Sequence, residues 1–536
     1  MANIATSASP PANASGAMAA QNVIEFQTRF LFPFFFDRGR NAEAAETLIA
    51  DRPGAGDQPL WSRSQPHPLY TDEFLDHVVR YLFPGLDRSN APGPVECEYL
   101  RADDKTLEKW FQHAEVQLPS GRTLRAGKRP SAEMFVTSQG VGLLVMTIGV
   151  EQSGLTGEDV AEFNYRLSQF RRRPITGFVK PHPADNPEKY SALPAEAKEK
   201  IKPKPADDAP IHDQLASPYG RFTLKDLVNR LARVPLQRLH FHPVEPRELS
   251  VYTVVRLPET DMADAEVRAK LGPLLSALAQ IEERGNAGTD PSDLSVPAMV
   301  VNRRHWAAVG VLGASHLVAD QTNGQGNPAD FNEQRVRIVR DKYFVSFLVT
   351  MLQRLTLNRA VEEAAGIFAS QPERRGERTA RLRQDLLRFG VGGQFNQISS
   401  RHAHHRYYQL CRDGLDVLPA WEDIRGVLAE LDADRVAQEQ TNQQTHMADL
   451  AGEVAHSVTE IERLQSVVHT IEYLLGIVYG AHFFHMLLSE NHSVRDLLGI
   501  GEKAHHHYVT GITLVGALVG FFFVFIVDRL RMHRKE

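Results

Sequence analysis

Histidines near the C-terminal end are the residues that most invite a chemical reading of this chain. His505, His506 and His507 are consecutive, His492 precedes them, and Glu490, Asp496 and Glu502 add carboxylates. Imidazole nitrogen with carboxylate oxygen is a donor set for Zn²⁺, Ni²⁺ or Co²⁺. Three consecutive side chains do not converge on one point in regular structure, so a solvated loop is the competing reading. A second cluster is Arg401-His402-Ala403-His404-His405-Arg406. In a helix His402 shares a face with His405 and Arg406. That face suits a phosphate-bearing ligand, or water, or a subunit contact. A third site centres on His482, next to Tyr479 and Gly480 in an apolar stretch.

Enzyme patterns are missing. The sequence holds no Gly-x4-Gly-Lys-Ser/Thr loop, no Gly-x-Ser-x-Gly, no His-Glu-x-x-His and no paired cysteine motif. Gly390-Val391-Gly392-Gly393 has no strand before it and reads as a turn between helices. The expectation is therefore a protein that is not an enzyme. A net charge of −6 over 536 residues argues against a nucleic-acid polymer as partner. Two cysteines, Cys97 and Cys411, make no disulfide framework, and a reducing compartment follows.

The elements that must position these residues fall into blocks. Residues 1–21, mostly Ala, Ser and Pro, read as a disordered leader without the apolar core of a signal peptide. Residues 22–335 read as a cytoplasmic mixed α/β domain. Within it, 28–37 is an edge or buried strand, 96–101 a strand, and 133–138 with 141–151 a hairpin turning at Gln139-Gly140. Residues 159–171, 224–234 (capped by Thr223) and 263–283 read as helices. Residues 250–256, 296–301 and 306–312 read as strands, and 320–332 as a polar loop. The Pro- and Lys-rich stretch 182–218 reads as an insertion. Residues 336–466 form a helical region and stalk. In it, the apolar run 343–352 is a buried core helix too short to span, and 371–378 is a charged break. A single helix from Trp421 to Leu488 would be ~100 Å long.

Residues 467–488 and 508–527 are long and apolar enough to cross a bilayer as two transmembrane helices. A loop, 489–507, joins them and a basic tail, 528–536, follows. On the long helix that runs into the first span one stripe runs His456, Thr459, Arg463, Ser466, Thr470, Tyr473, Ile477, Gly480, and another runs Ile461, Leu464, Val468, Ile471, Leu475, Val478. Steps of three and four residues place each stripe on one helix face. A ring of such helices would line a conduit with Ser466, Thr470, Tyr473, Ile477 and Gly480, and turn the apolar stripe to neighbours or lipid.

The order of long helix, Tyr-Gly, short loop, clean second span and basic end resembles the CorA family of divalent-cation channels and transporters. Tyr479, Gly480 and Phe483 match that family's Tyr-Gly-Met-Asn-Phe, and Met486 falls at its second Met. Ala481 and His482 stand where the family has Met and Asn, and Leu487 and Leu488 where it has Pro and Glu. The resemblance covers residues 421–536. It implies an α/β cytoplasmic domain, a long helical stalk and two C-terminal transmembrane helices in a funnel. It also implies a homopentamer in the bilayer of a bacterial inner membrane, with its N-terminal domain and C-terminus cytoplasmic. Tyr479, Gly480 and His482 would form the outer mouth, and the ion carried would be Mg²⁺, Zn²⁺, Ni²⁺ or Co²⁺, with no tightly bound cofactor. Imidazole at His482 suits Zn²⁺ or Ni²⁺ better than Mg²⁺, which prefers oxygen. The alternative implied by the family is a ligand-gated effector that permeabilises the membrane. CorA-like proteins of that kind occur beside CRISPR defence systems, where a nucleotide messenger is the gate. The enlarged α/β domain would then bind a cytosolic gating ligand.

Overall fold

The computed structural model describes residues 21–446 except 53–57, 85–95, 171–176, 183–210, 245–247, 282–295, 322–327 and 370, and scattered residues between 464 and 526. The leader up to residue 20, most of the 182–218 insertion, the 489–507 loop and the 528–536 tail lie outside the described residues. Two compact units are present, residues 1–433 and 434–536.

The strands are β1 (Asn22–Phe35), β2 (Trp61–Arg63), β3 (Cys97–Ala102), β4 (Glu115–Gln117), β5 (Thr123–Arg125), β6 (Lys128–Thr137) and β7 (Val141–Thr156). They continue with β8 (Phe178–Lys180), β9 (Gly220–Phe222), β10 (His242–Pro243), β11 (Ser250–Leu257), β12 (Ala298–Asn302), β13 (His305–Val309) and β14 (Gly313–Ala319). One sheet has the order β12-β13-β14-β11-β1-β7-β6-β3-β2, with β10 against the end of β1. A smaller sheet has the order β5-β4-β8-β9. Every pairing is antiparallel except β11 with β14.

β1 is the centre of the large sheet, paired with β7 on one side and β11 on the other. Its run of aromatic and branched residues fits a strand covered on both faces. Phe26, Phe30, Phe32 and Phe34 enter the core beneath the helices Gly157–Ser168 and Ala265–Gln280. Leu31 and Phe35 enter a second core beneath the helices Phe344–Phe368 and His402–Gly414. Pro33 is tolerated because β11 has already ended at the Leu31–Ser250 pair, so β1 is paired only with β7 there. The β6–β7 hairpin turns at Gly140, whose φ of +73° is a glycine conformation.

The run 343–352 is buried at the start of helix Phe344–Phe368, as its short apolar length predicts. Residues 371–378 are not a break. They open helix Pro372–Gly392, where proline's missing N–H costs nothing in the first turn. Gly390 and Gly392 belong to the last turn of that helix. The polar stretch 320–332 contains the start of helix Pro328–Ile338.

The fold class needs a larger correction at its C-terminal end. Among the described residues no helix is long and apolar enough to cross a membrane. The stretch expected as the first span carries His469 and Glu472, whose side chains meet at 3.4 Å. The two transmembrane helices of the CorA-like funnel are thus not found, and the multi-pass inner-membrane localisation falls with them.

Candidate ligand-binding site

Side chains alternate along a strand, so residues of one parity share a face. On β1, Arg29 has the parity of Leu31 and Phe35, and on β7 Thr147 has that of Leu143 and Val145. On β6, Glu133 has the parity of Phe135, and on β3, Arg101 has that of Tyr99 and Cys97. All lie on the face covered by helix Phe344–Phe368. The register sets them side by side. Arg29 is opposite Thr147, Thr147 is opposite Ser131, and Glu133 is opposite Arg101. With strands ~4.8 Å apart, this polar row crosses ~14 Å of sheet.

A cavity of about 640 Å³ stands over the row. Its other wall carries His67, Tyr70, Arg337, Arg340 and Asp341. These come from the short helix Pro68–Thr71 with its cap, from helix Pro328–Ile338, and from the π turn Val339–Tyr343 that follows. The volume is that of a small-molecule site. Five arginines and six carboxylates line it, so bulk charge does not choose the ligand. The pairing of individual groups does.

Most of these charges are matched. Arg340 grips Asp341 through both oxygens at 3.1 Å, and Arg101 bonds Asp104 at 2.7 Å. Arg129 reaches Glu333 at 3.1 Å. The Glu133 carboxylate accepts from Tyr99 Oη at 2.6 Å and from Tyr70 Oη at 3.0 Å. Burial raises the Asp341 carboxyl, but Arg29 and Arg340 outweigh it and hold the group below its ordinary range. Burial drives the Tyr70 hydroxyl well above its usual value, so it stays a donor.

Arg29 is the exception. It is only 4% exposed. Its Nη2 donates to Asp341 Oδ1 at 2.9 Å, and its guanidinium carbon lies 3.9 Å from the centre of the Phe344 ring. Its Nε and Nη1 have no hydrogen-bond partner among the described residues, and neither does Thr147 Oγ1 beside it. A buried donor left unmade costs ~1–3 kcal/mol, so these atoms call for a reason. At the rim, Arg337 Nη2 is 2.5 Å from His67 Nε2 while His67 Nδ1 faces the Leu69 N–H. A neutral imidazole has one accepting nitrogen, so one contact sets donor against donor. Burial and Arg337 together lower the His67 pKa. An oxyanion in the cleft would accept from the free Arg29 N–H groups and the Thr147 hydroxyl.

None of the site residues expected from the sequence lines this cleft. Thr470, Tyr473, Tyr479, Gly480 and His482 are exposed on described helical turns and Ile477 is half-buried, whereas Ser466, His505, His506 and His507 lie outside the described residues. Among the described residues no group of three or more His, Cys, Asp or Glu is arranged to hold a metal ion. The 401–406 cluster is split by its helix. His404 is buried, stacked on Phe74 with 6.0 Å between ring centres, and His402 and Arg406 point to solvent. The residues that form the cleft went unread as a site, although Arg29 leaves one trace. It is the single charge between Phe26 and Phe36. Comparison with known protein families, curated proteins and solved structures returned no match. The resemblance to the CorA family thus rests on residues 421–536 alone.

Proposed function

We propose that this chain is a ligand-sensing protein whose α/β domain binds a phosphate-bearing small molecule of nucleotide size in the cleft over β1, β7 and β6. The observation that carries the reading is Arg29, a buried guanidinium with two unpartnered N–H directions beside the unpartnered Thr147 hydroxyl. The planar guanidinium fork matches phosphate oxygens, and such charge-assisted bonds are about twice as strong as neutral ones. Of the two functions raised by the sequence, this supports the one gated by a cytosolic ligand. What it supports is the binding of a gating ligand by the α/β domain; both readings drew their membrane part from two spans that no helix among the described residues supplies.

Isothermal titration of the full chain with pyrophosphate, AMP, ATP and dinucleotides tests it. At least one of these binds, and Arg29→Gln weakens it. Loss of a hydrogen bond to a charged group costs ~1.5–3 kcal/mol, or roughly a 10- to 150-fold rise in Kd. Equal affinity in Arg29→Gln, or no binding of any of them, overturns the assignment.

A further inference from the structure

The wall of the cleft that faces Arg29 is not an ordinary helix. Pro328–Ile338 and Phe344–Phe368 are joined through the π turn Val339–Tyr343 without a break in helical character. A π turn holds one residue more than an α turn and is frequent at functional sites; a second one, Asn229–Arg233, lies away from the cleft. Three polar contacts hold the one at the cleft, beside the packing of Val339 and Tyr343 in the core. Asp341 pairs with Arg29 at 2.9 Å. Lys342, itself buried, pairs with Glu73 at 3.0 Å. The Tyr252 hydroxyl donates to the Val339 carbonyl at 2.7 Å.

Asp341 holds Nη2 alone, and a bidentate oxyanion on a guanidinium needs Nη2 together with Nε or Nη1. Taking the cleft as the ligand site, we propose that Asp341 is a built-in competitor. An oxyanion on Arg29 displaces it, and the π turn loosens as one of its three polar anchors goes. The two flanking helices would not respond alike. Residues 344–352 are buried without exception, so moving them exposes core. Half of residues 329–338 are exposed, with Phe331 50% open to solvent, and the segment holds the domain through Asn332 on the Gln321 backbone, Arg335 on the Ala319 carbonyl and Glu333 on Arg129. Within the π turn Val339 and Tyr343 are core residues as well, so the segment released on binding is Pro328–Ile338, and its release carries the signal.

Linkage makes this testable, because whatever weakens the π turn must tighten the anion. Two variants of the full chain separate charge from coupling. Asp341→Asn removes the competing charge. Tyr252→Phe keeps every charge and the ring, and removes only the Val339 carbonyl cap. Pyrophosphate is the probe, titrated calorimetrically, with amide hydrogen exchange read over 328–338 and 344–352. The expected results are tenfold or tighter binding in Asp341→Asn and several-fold tighter binding in Tyr252→Phe. Exchange over 328–338 should be faster in both variants without pyrophosphate, and faster in the wild type with it, while 344–352 stays unchanged. Pyrophosphate bound no tighter by Tyr252→Phe, or slowing exchange over 328–338 in the wild type, overturns the coupling and leaves the cleft assignment standing. Pyrophosphate bound by none of the three overturns the coupling, and the cleft assignment falls with it only if AMP, ATP and the dinucleotides also fail to bind. Unaltered exchange in both unliganded variants sinks the coupling on its own.

Discussion

Thr147→Val separates a binding site from an ordinary core position, because the two readings give opposite signs. Thr147 is 3% exposed on β7, and its Oγ1 has no partner among the described residues. Valine keeps the branched shape and the strand preference and deletes only the hydroxyl. An unmade buried hydroxyl costs ~1–3 kcal/mol, so removing it stabilises the ligand-free protein by at least ~1 kcal/mol. For a chain above 250 residues each kcal/mol raises Tm by roughly 2 °C. Urea unfolding followed by fluorescence should show a higher midpoint with unchanged slope. Ligand binding should weaken in the same variant, since a donor and acceptor at the cleft floor has gone. The refuting result is a lower midpoint. Arg29 is the cross-strand neighbour, and destabilisation by ~1–3 kcal/mol would mean that the hydroxyl already accepts from its free N–H groups. The floor would then be satisfied within the fold, and the case for an anion would be lost.

Three further outcomes follow from other contacts. His305 and His316 are buried and bonded at 2.9 Å, with His316 also 2.8 Å from Tyr407 Oη. Burial, with Arg335 and His404, pushes His305 down to about 3, and burial with His305 pushes His316 well below its usual value. The unfolded chain protonates these rings near pH 6.5 and the folded one does not. Stability is therefore full above that pH and falls by ~1.4 kcal/mol per histidine per unit below it. Urea midpoints at pH 7.5, 6 and 5 should decline more shallowly in His316→Asn, and equal slopes would contradict the assignment. Arg38 ties the β1 end to Glu363 at 2.5 Å and to Asp385 on the next helix. Arg38→Met should cost ~1–2 kcal/mol after allowance for partial exposure, and the difference should shrink in 1 M NaCl; a salt-independent loss would point to packing alone. Thr223 and Asp226 form a capping box on helix Leu224–Val228, and Thr223→Ala should lower stability by ~0.5–2 kcal/mol, with no change in the midpoint counting against the cap.

The strands and core helices were legible where the pattern is local. Two strand-like runs around Gln139-Gly140 located the β6–β7 hairpin with its glycine turn, and ten apolar residues bracketed by charge marked the buried helix at 344. Charge density misled at 371–378, where Pro372 after Gln371 was the better signal of a helix start. The cleft was illegible for a different reason. Arg29, Thr147, Glu133 and Asp341 are spread over more than half the chain, and only the strand order brings them together. Periodicity does not reveal a π turn either, since one extra residue in a charged run such as Arg340-Asp341-Lys342 looks like any solvated turn. The emphasis on the C-terminal histidines followed from a resemblance confined to residues 421–536, and the domain that holds the cleft lies before them.

The central place of β1 also governs how the chain is made. Phe30 pairs with Met146 and Val251, residues that leave the ribosome roughly 120 and 220 positions later. At ~5–20 residues per second the first strand waits roughly 10 to 45 s for its second partner. In that time it is an extended, aromatic segment of the kind that self-associates. Two residues between Phe26 and Phe36 interrupt it, Arg29 with its charge and Pro33 with no N–H to donate, the residue types that guard such strands against self-association. Arg29 thus serves the nascent chain before it serves any ligand. Arg29→Gln should lower the soluble yield at 37 °C even where the purified protein is no less stable, and slower translation should widen that gap.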